Sequence, residues 1–466
     1  MGRCSDDSQQ QIGLTMKGST IGRSRVAAAA FRTACDSPLV TAHLKTLAQL
    51  ELAEPNEVVQ WQERRLRRFV DRWASAVPYY RENPEYLRSS DRTAAVLDKE
   101  TVRRSSAAFA NPKVPARQVT TGGTGGRPLN LRISYSSFFS EWAHIAYVWS
   151  RAGVRLNDPK ITFRGSSLGT GFHGRPMIYQ RTYNHMAVSP FHLSEATFTE
   201  LLSSIRDLRP VAIWGYPSSI TPFALWAART GPHPELARLR AVLLASEGAL
   251  DWQLDLFREV FDAPPIRWYG QSEKVVFGAE CPRFPGHYHV TPTYGVAQVI
   301  NDRIIGSGMT NAAMPLLRYD TEDGGALTPP GLMGGRCACG SPFAVLRDVA
   351  GRWDQSLVYG THDEPISSAA LNFHDEAFAR FDRFQFRQER RGEVELRVAS
   401  AGRVPDSAEL EKARCLLQHR VGDRLVISVT VAAADDLLSR RGKILMIDQR
   451  YRPGQADFSA MPAQPT

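Results

Sequence analysis

Thr120, Thr121, Gly122, Gly123, Thr124, Gly125, Gly126, Arg127 and Pro128 follow one another in a single short segment. Backbone so rich in glycine can approach an anion closely, and its N–H groups and threonine hydroxyls are the donors a phosphate needs. No Lys-Ser/Thr pair ends the segment, so it is not a Walker-type loop, and by itself it would serve equally as a flexible turn. A second group of residues suggests different chemistry. Cys281 is followed by His287 and His289, and later by Cys337 and Cys339. Two sulfur-rich knuckles of this kind offer four tetrahedral ligands to Zn²⁺, although Cys-x-Cys is less diagnostic than Cys-x-x-Cys and buried free thiols are the alternative.

After the glycine-rich segment come, in order, Gly215-Tyr216-Pro217-Ser218, Ser246-Glu247-Gly248, Tyr269-Gly270-Gln271-Ser272-Glu273, Arg318-Tyr319-Asp320-Thr321-Glu322-Asp323, Gly351-Arg352-Trp353-Asp354 and Gly442-Lys443. This succession, over residues 60 to 450, resembles the adenylate-forming superfamily of acyl-CoA ligases and adenylation domains. It is most similar to the phenylacetate-CoA ligase-like branch, which includes capsule-biosynthesis adenylating proteins. The resemblance implies a large multi-layer α/β N-terminal domain with a small mobile α+β C-terminal lid. The implied reaction makes an acyl-AMP from a carboxylic acid and ATP with Mg²⁺, releases pyrophosphate, and passes the acyl group to an acceptor. Coenzyme A is the implied acceptor, with an amine or a carrier-protein pantetheine as alternatives. A nucleotide-binding regulatory protein without turnover is a further reading.

The resemblance also implies residue roles. Thr121, Gly122, Gly123, Thr124, Gly125 and Gly126 would close over the β and γ phosphates, with Gly122 standing where many relatives carry serine. Ser246, Glu247, Gly248 and Gly270 would line the nucleotide site, Tyr269 would stack on adenine, and Ser272 would contact the α-phosphate. Glu273 would hold Mg²⁺, since a carboxylate suits a hard cation bridging phosphates. Asp323 would accept from both ribose hydroxyls, as one carboxylate can from a vicinal diol. Relatives place glycine where this chain has Glu322, which leaves the local backbone less free. Arg352 would reach the nucleotide and Asp354 would be the hinge of the small domain. Lys443 would bridge the carboxylate and the α-phosphate, stabilising charge in the transition state. The acid, by analogy with the branch an aryl one, would meet Arg164, Leu168, Tyr216 and Ser218. In members of the branch, a Cys, a Tyr-His pair and a Cys-x-Cys-Gly match Cys281, Tyr288-His289 and Cys337 to Gly340. That match favours Cys281, His289, Cys337 and Cys339, with His289 over His287, as ligands of a structural zinc.

The elements that must position these residues can be read from periodicity. Residues 1–28 are polar and without periodicity, as in a disordered tail. From Phe31 to Arg104 helical spacing dominates, and Val58, Val59, Trp61, Leu66, Phe69, Val70 and Trp73 share a face. Pro210 to Trp214 and Ala241 to Leu244 read as buried strands, Ser219 to Ala228 and Trp252 to Phe261 as helices, predicting a substantially parallel sheet. The nucleotide- and acid-binding domain is expected over 29–352. The lid is expected over 353–455, with strands at Glu393 to Ala399 and Arg424 to Val431 around a helix from Asp406 to His419, and a flexible tail over 456–466.

At 466 residues and 43% hydrophobic content the chain can bury a large core. No run nears the ~20 apolar residues that span a bilayer, and the N-terminus lacks the order of a signal peptide, so a cytoplasmic protein with no membrane partner is expected. The net charge of +9 is dispersed as single arginines, which argues against nucleic acid and suits an anionic ligand. Eight lysines stand against a Lys+Arg total of 57, which makes Lys443 conspicuous. A monomer or homodimer is expected.

Overall fold

The computed structural model describes residues 38–87, 95–120, 129–163, 175–181, 183–189, 193–245, 248–249, 251–329, 335–350, 357–367, 371, 381, 383–399, 404–437 and 447–453. The N-terminal layer begins with α1 (Pro38–Leu52) and α2 (Pro55–Arg72). Pro55 opens α2 at a position whose N–H would be unpaired anyway, and Glu54 with Glu57 forms a capping box. The predicted apolar stripe of α2 is buried at Val58, Leu66, Phe69 and Val70. Short helices α3 (Pro78–Glu82) and α4 (Lys99–Arg104) complete the layer, and α4 is capped by Asp98.

A 12-stranded sheet forms the body of the molecule. Its parallel half consists of β3 (Lys160–Phe163), β5 (His185–Val188), β6 (Ala212–Gly215), β7 (Ala241–Leu244) and β8 (Pro265–Gly270), with β4 (Met177–Gln180) antiparallel at the edge. Strands here are buried on both faces, and successive residues pack on opposite layers. Ile213, Val242 and Leu244 pack with residues of α6 (Glu195–Ile205), α7 (Pro217–Thr230) and α8 (Asp251–Phe261). Ala212, Trp214, Ala241 and Leu243 instead pack with residues of α1 and α5 (Tyr135–Ser150).

The remainder of the sheet corrects the expectation of a substantially parallel one. It runs through β9 (Phe277–Glu280), β10 (Tyr288–Val290), β14 (Val345–Ala350), β13 (Tyr319–Thr328), β12 (Arg303–Gly308) and β11 (Gly295–Ile300), and every pairing from β8/β9 onward is antiparallel. A two-stranded ribbon, β1 (Ala116–Thr120) with β2 (Asn130–Ser134), flanks the glycine-rich segment.

The C-terminal part has its own sheet, β19 (Val426–Val431), β18 (Glu393–Ala399), β17 (Arg383–Arg390) and β20 (Ile447–Gln449), packed with α9 (Ser407–Val421) around a separate core. A small ribbon, β15 (Leu357–Tyr359) with β16 (Pro365–Ser367), contributes Val358 and Ile366 to that core. The helix starts at its Asp406 cap as the sequence suggests, and β19 starts later than expected because Gly422–Arg424 form a 3₁₀ turn. Among the described residues no helix is long and apolar enough to cross a membrane.

Candidate nucleotide site and metal cluster

The motif residues that the structure describes converge where β8 turns into β9 and where β13 begins. Tyr269 lies near the end of β8, and its hydroxyl donates to Asp323 Oδ2 at 2.8 Å. Enclosure of the ring, and after it the charge of Asp323, hold that hydroxyl well above its ordinary range, so it remains a donor. Gly270 and Ser272 are exposed in the turn, and Glu273, 8% exposed, is buried behind them. Tyr319 at the start of β13 donates to Glu273 Oε1 at 3.2 Å.

Close packing of backbone fixes this turn. A Cβ at Gly308 would come within 2.3 Å of the Lys274 carbonyl oxygen, and one at Gly295 within 2.0 Å of that of Val275. Glycine on β11 and β12 therefore lets the chain just past Glu273 lie directly on the ribbon.

Glu322 stands where the resemblance implies a glycine. It adopts φ 63°, the left-handed region. A non-glycine residue there costs about 1 kcal/mol. Its N–H donates to Asp320 Oδ1 at 2.7 Å, a local turn that holds the strained peptide in place. Its carboxylate lies 3.6 Å from the Lys99 ammonium, which lies 3.6 Å from Glu273 as well. Asp323, the next residue, faces Tyr269.

Lys99 is a site residue that motif reading passed over. It is a buried lysine on α4, remote in sequence from both carboxylates it balances. The signal available was its rarity, since it is one of eight lysines in the chain.

The parallel half contributes Tyr216, which caps the N-terminus of α7 after β6, and Ser218 in the first turn of that helix. Gly248 follows β7. Thr121, Gly122, Gly123, Thr124, Gly125, Gly126, Arg164, Leu168, Ser246, Glu247, Arg352, Asp354 and Lys443 lie outside the described residues.

No protein-family model matches the chain, and no curated protein matches it by sequence. Solved structures do match it. A 2-hydroxyisobutyryl-CoA ligase, in complex with 2-HIB-AMP and CoA in the thioesterification state, superposes with a TM-score of 0.51 at 19% identity. The match covers 84% of this chain and 89% of that one. The chain has the fold of that ligase. Weaker matches are the same ligase in its postadenylation state, at a TM-score of 0.48, 17% identity and 82% and 87% coverage of this and that chain, and an acyl-CoA synthetase of Brucella canis, at 0.34, 15%, 70% and 62%. In this fold Tyr216, Gly248, Tyr269 and Glu273 lie at the ends of the adjacent strands β6 to β9, Tyr319 and Asp323 lie on β13, and the metal-type donors gather at the opposite end of β9.

There, Cys281, His289, Cys337 and Cys339 bring their ligand atoms within 4.8 Å of one another. The Cys281 and Cys337 sulfurs are 3.9 Å apart, and Cys339 Sγ is 3.2 Å from His289 Nε2. Zn–S bonds of about 2.3 Å place two sulfurs of a tetrahedron about 3.8 Å apart, so the spacing fits such an ion. His287 stands outside the cluster, stacked on Phe284 with ring centroids 5.6 Å apart. Burial, and then the charge of Arg151, lowers His289 to about 4, leaving a neutral imidazole with a free lone pair. Burial, and then the thiols of Cys337 and Cys281, pushes Cys339 up to about 12, so a bound cation would be what holds it as a thiolate.

The knuckle also holds the N-terminal layer. The Arg336 guanidinium donates to the carbonyls of Glu51 at 2.7 Å, Leu52 at 2.9 Å and Ala53 at 2.8 Å, closing the C-terminal end of α1.

Proposed function

We propose that the protein activates a carboxylic acid with ATP and transfers the acyl group to coenzyme A. The observation that carries this reading is the constellation of Tyr269, Glu273, Tyr319 and Asp323, held together by hydrogen bonds at the strand ends of an adenylate-forming fold. In the first step a carboxylate oxygen of the acid attacks the α-phosphorus of ATP, and the bond to pyrophosphate breaks. In the second, the thiol sulfur attacks the acyl carbon, loses its proton, and AMP leaves.

The residues divide this work by chemistry. Asp323 accepts from the ribose hydroxyls, and the Tyr269 hydroxyl fixes the orientation of that carboxylate while its ring face meets the base. Glu273 is the residue that would hold Mg²⁺, which when bound neutralises charge building on the phosphates. Lys99 pairs with Glu273 and Glu322 and holds them in place, acting as a positioning residue. Lys443, Arg352 and the threonine- and glycine-rich segment are assigned by resemblance to the α-phosphate, the nucleotide and the outer phosphates, with Asp354 as the hinge. The cysteine–histidine cluster is assigned to a structural Zn²⁺.

The aryl class of acid rests on the resemblance to the phenylacetate-CoA ligase-like branch, which assigns Tyr216 and Ser218 to the acid. The test is pyrophosphate release over a panel of aryl acids and short hydroxy acids, repeated with coenzyme A and with amines as acceptors. Acid-dependent release with thioester formation is expected. ATP binding without release for any acid would reject catalysis, and acyl transfer to amines alone would reject the thiol.

A further inference from the structure

A groove of ≈ 520 Å³, lined by none of the strand-end residues, lies between α2, the first turns of α5 and the loop around Thr310. On α2, Trp61, Arg65, Arg68 and Arg72 fall at i, i+4, i+7 and i+11, one stripe of the helix, and Arg64 borders it. Trp73 follows the last turn. Among the described residues, no carboxylate pairs with Arg64, Arg65, Arg68 or Arg72. Two of the guanidinium groups lie over indoles, Arg65 at 5.7 Å from the Trp61 centroid and Arg72 at 4.8 Å from that of Trp73. Thr310 also lines the groove, and its hydroxyl is buried with no partner among the described residues. Ser136, in the first turn of α5, borders it where helix N–H groups raise the positive potential.

Four arginines along one edge of the groove raise its positive potential and favour an anion there, and Arg is the residue that grips phosphate with two bonds. Planar indole faces add a surface for a base, and the volume falls in the range of small-molecule pockets. The groove is also tied to the active-site chain. The Asn311 side chain accepts from the Ser134 N–H at 3.0 Å and donates to the Arg132 carbonyl at 2.9 Å, both on the strand that follows the glycine-rich segment.

We propose that this groove binds a phosphorylated nucleotide, with phosphate on the α2 arginines and the base against Trp61 or Trp73. Two sources carry this chemistry. The 3′-phospho-ADP end of coenzyme A would make the groove the anchor of the acceptor, an arm that rests on the ligase reading. A free nucleotide would make it a second nucleotide site.

The probe is adenosine 3′,5′-bisphosphate, titrated by calorimetry into the full chain with AMP saturating the strand-end site. Binding is expected to weaken on the order of tenfold or more in Arg65→Glu/Arg68→Glu. Its melting temperature and acid-dependent pyrophosphate exchange should stay at wild-type values. Arg65→Lys/Arg68→Lys should recover part of the affinity. Displacement by coenzyme A assigns the site to the acceptor, and displacement by ADP but not coenzyme A assigns it to free nucleotide. No binding by the wild type, equal binding by the charge-reversed variant, or binding that neither ligand displaces would overturn the proposal. A wild type that binds the bisphosphate yet exchanges pyrophosphate with no acid would contradict the ligase reading alone.

Discussion

The two ends of β9 put different chemistry on one short strand. Before it stands Glu273, in a ring of charges and hydroxyls made with Lys99, Tyr319 and Glu322. After it stands Cys281, in a knot of sulfur and imidazole donors. The first set consists of hard oxygen donors, two carboxylates sharing one ammonium, which suits a cation and phosphates that come and go. The second consists of soft donors with no ion-paired cation among the described residues, suited to an ion that stays. On the proposed reading, the oxygen-donor end is partly compensated by Lys99 in the free protein, whereas the sulfur end would be completed by an ion.

Breaking the sulfur end should have the largest effect. Cys337→Ser/Cys339→Ser removes two thiolates, and loss of a structural zinc costs on the order of several kcal/mol. We expect elemental analysis to find about one zinc per wild-type chain and none in the variant. The melting temperature should fall by roughly 5 °C or more, with α1 destabilised because Arg336 closes its C-terminal end. A zinc-free wild type would contradict the assignment.

At the charged end, Asp323→Ala should raise the KM for ATP on the order of tenfold through loss of charge-assisted hydrogen bonds, with little change in KM for the acid. An unchanged KM for ATP would mean that Asp323, despite its bond to Tyr269, does not meet the ribose. Lys99→Met leaves Glu273 and Glu322 without their shared cation. It should raise the Mg²⁺ concentration needed for half-maximal pyrophosphate release by a few-fold, and Lys99→Arg should restore part of it. An equal loss at all Mg²⁺ concentrations would point to a purely structural lysine.

The smallest effect concerns pH. Burial, and then the charge of Arg65, lowers His43 to about 4, and burial, and then the charge of His43, lowers His144 well below 6.5. Both rings are neutral in the fold, so below pH 6.5 the unfolded chain binds protons that the folded one refuses. Stability should fall as pH drops from 6.5 toward 4. A melting temperature flat across that window would contradict it, and His43→Gln should reduce the slope.

The parallel half of the sheet was legible in the sequence because buried strands there are uninterrupted apolar runs. Ala241–Leu244 was located to the residue, and the helix after it to within one. The antiparallel half was not legible. Its strands carry glycines such as Gly295 and Gly308, whose reason is a backbone crossing from a distant segment. The metal-type residues could be grouped from donor type alone, and His289 joins them because β10 runs beside β9 and β14. Lys99 could not be placed in the same way. Its pairing with Glu273 and Glu322 depends on where α4 packs, which no local pattern records.

The central claim is that the β8–β9 turn serves adenylation and not the fold. Its most direct test is Glu273→Gln, which keeps the side chain's shape and removes its charge. The measurement compares acid-dependent ATP–pyrophosphate exchange with acyl transfer to coenzyme A from supplied synthetic acyl-adenylate. The account predicts a fall in exchange of about 10²-fold or more, since an electrostatic contact to the reacting phosphates is lost, with acyl transfer retained within a few-fold. Unchanged exchange, or equal loss in both assays, would contradict it.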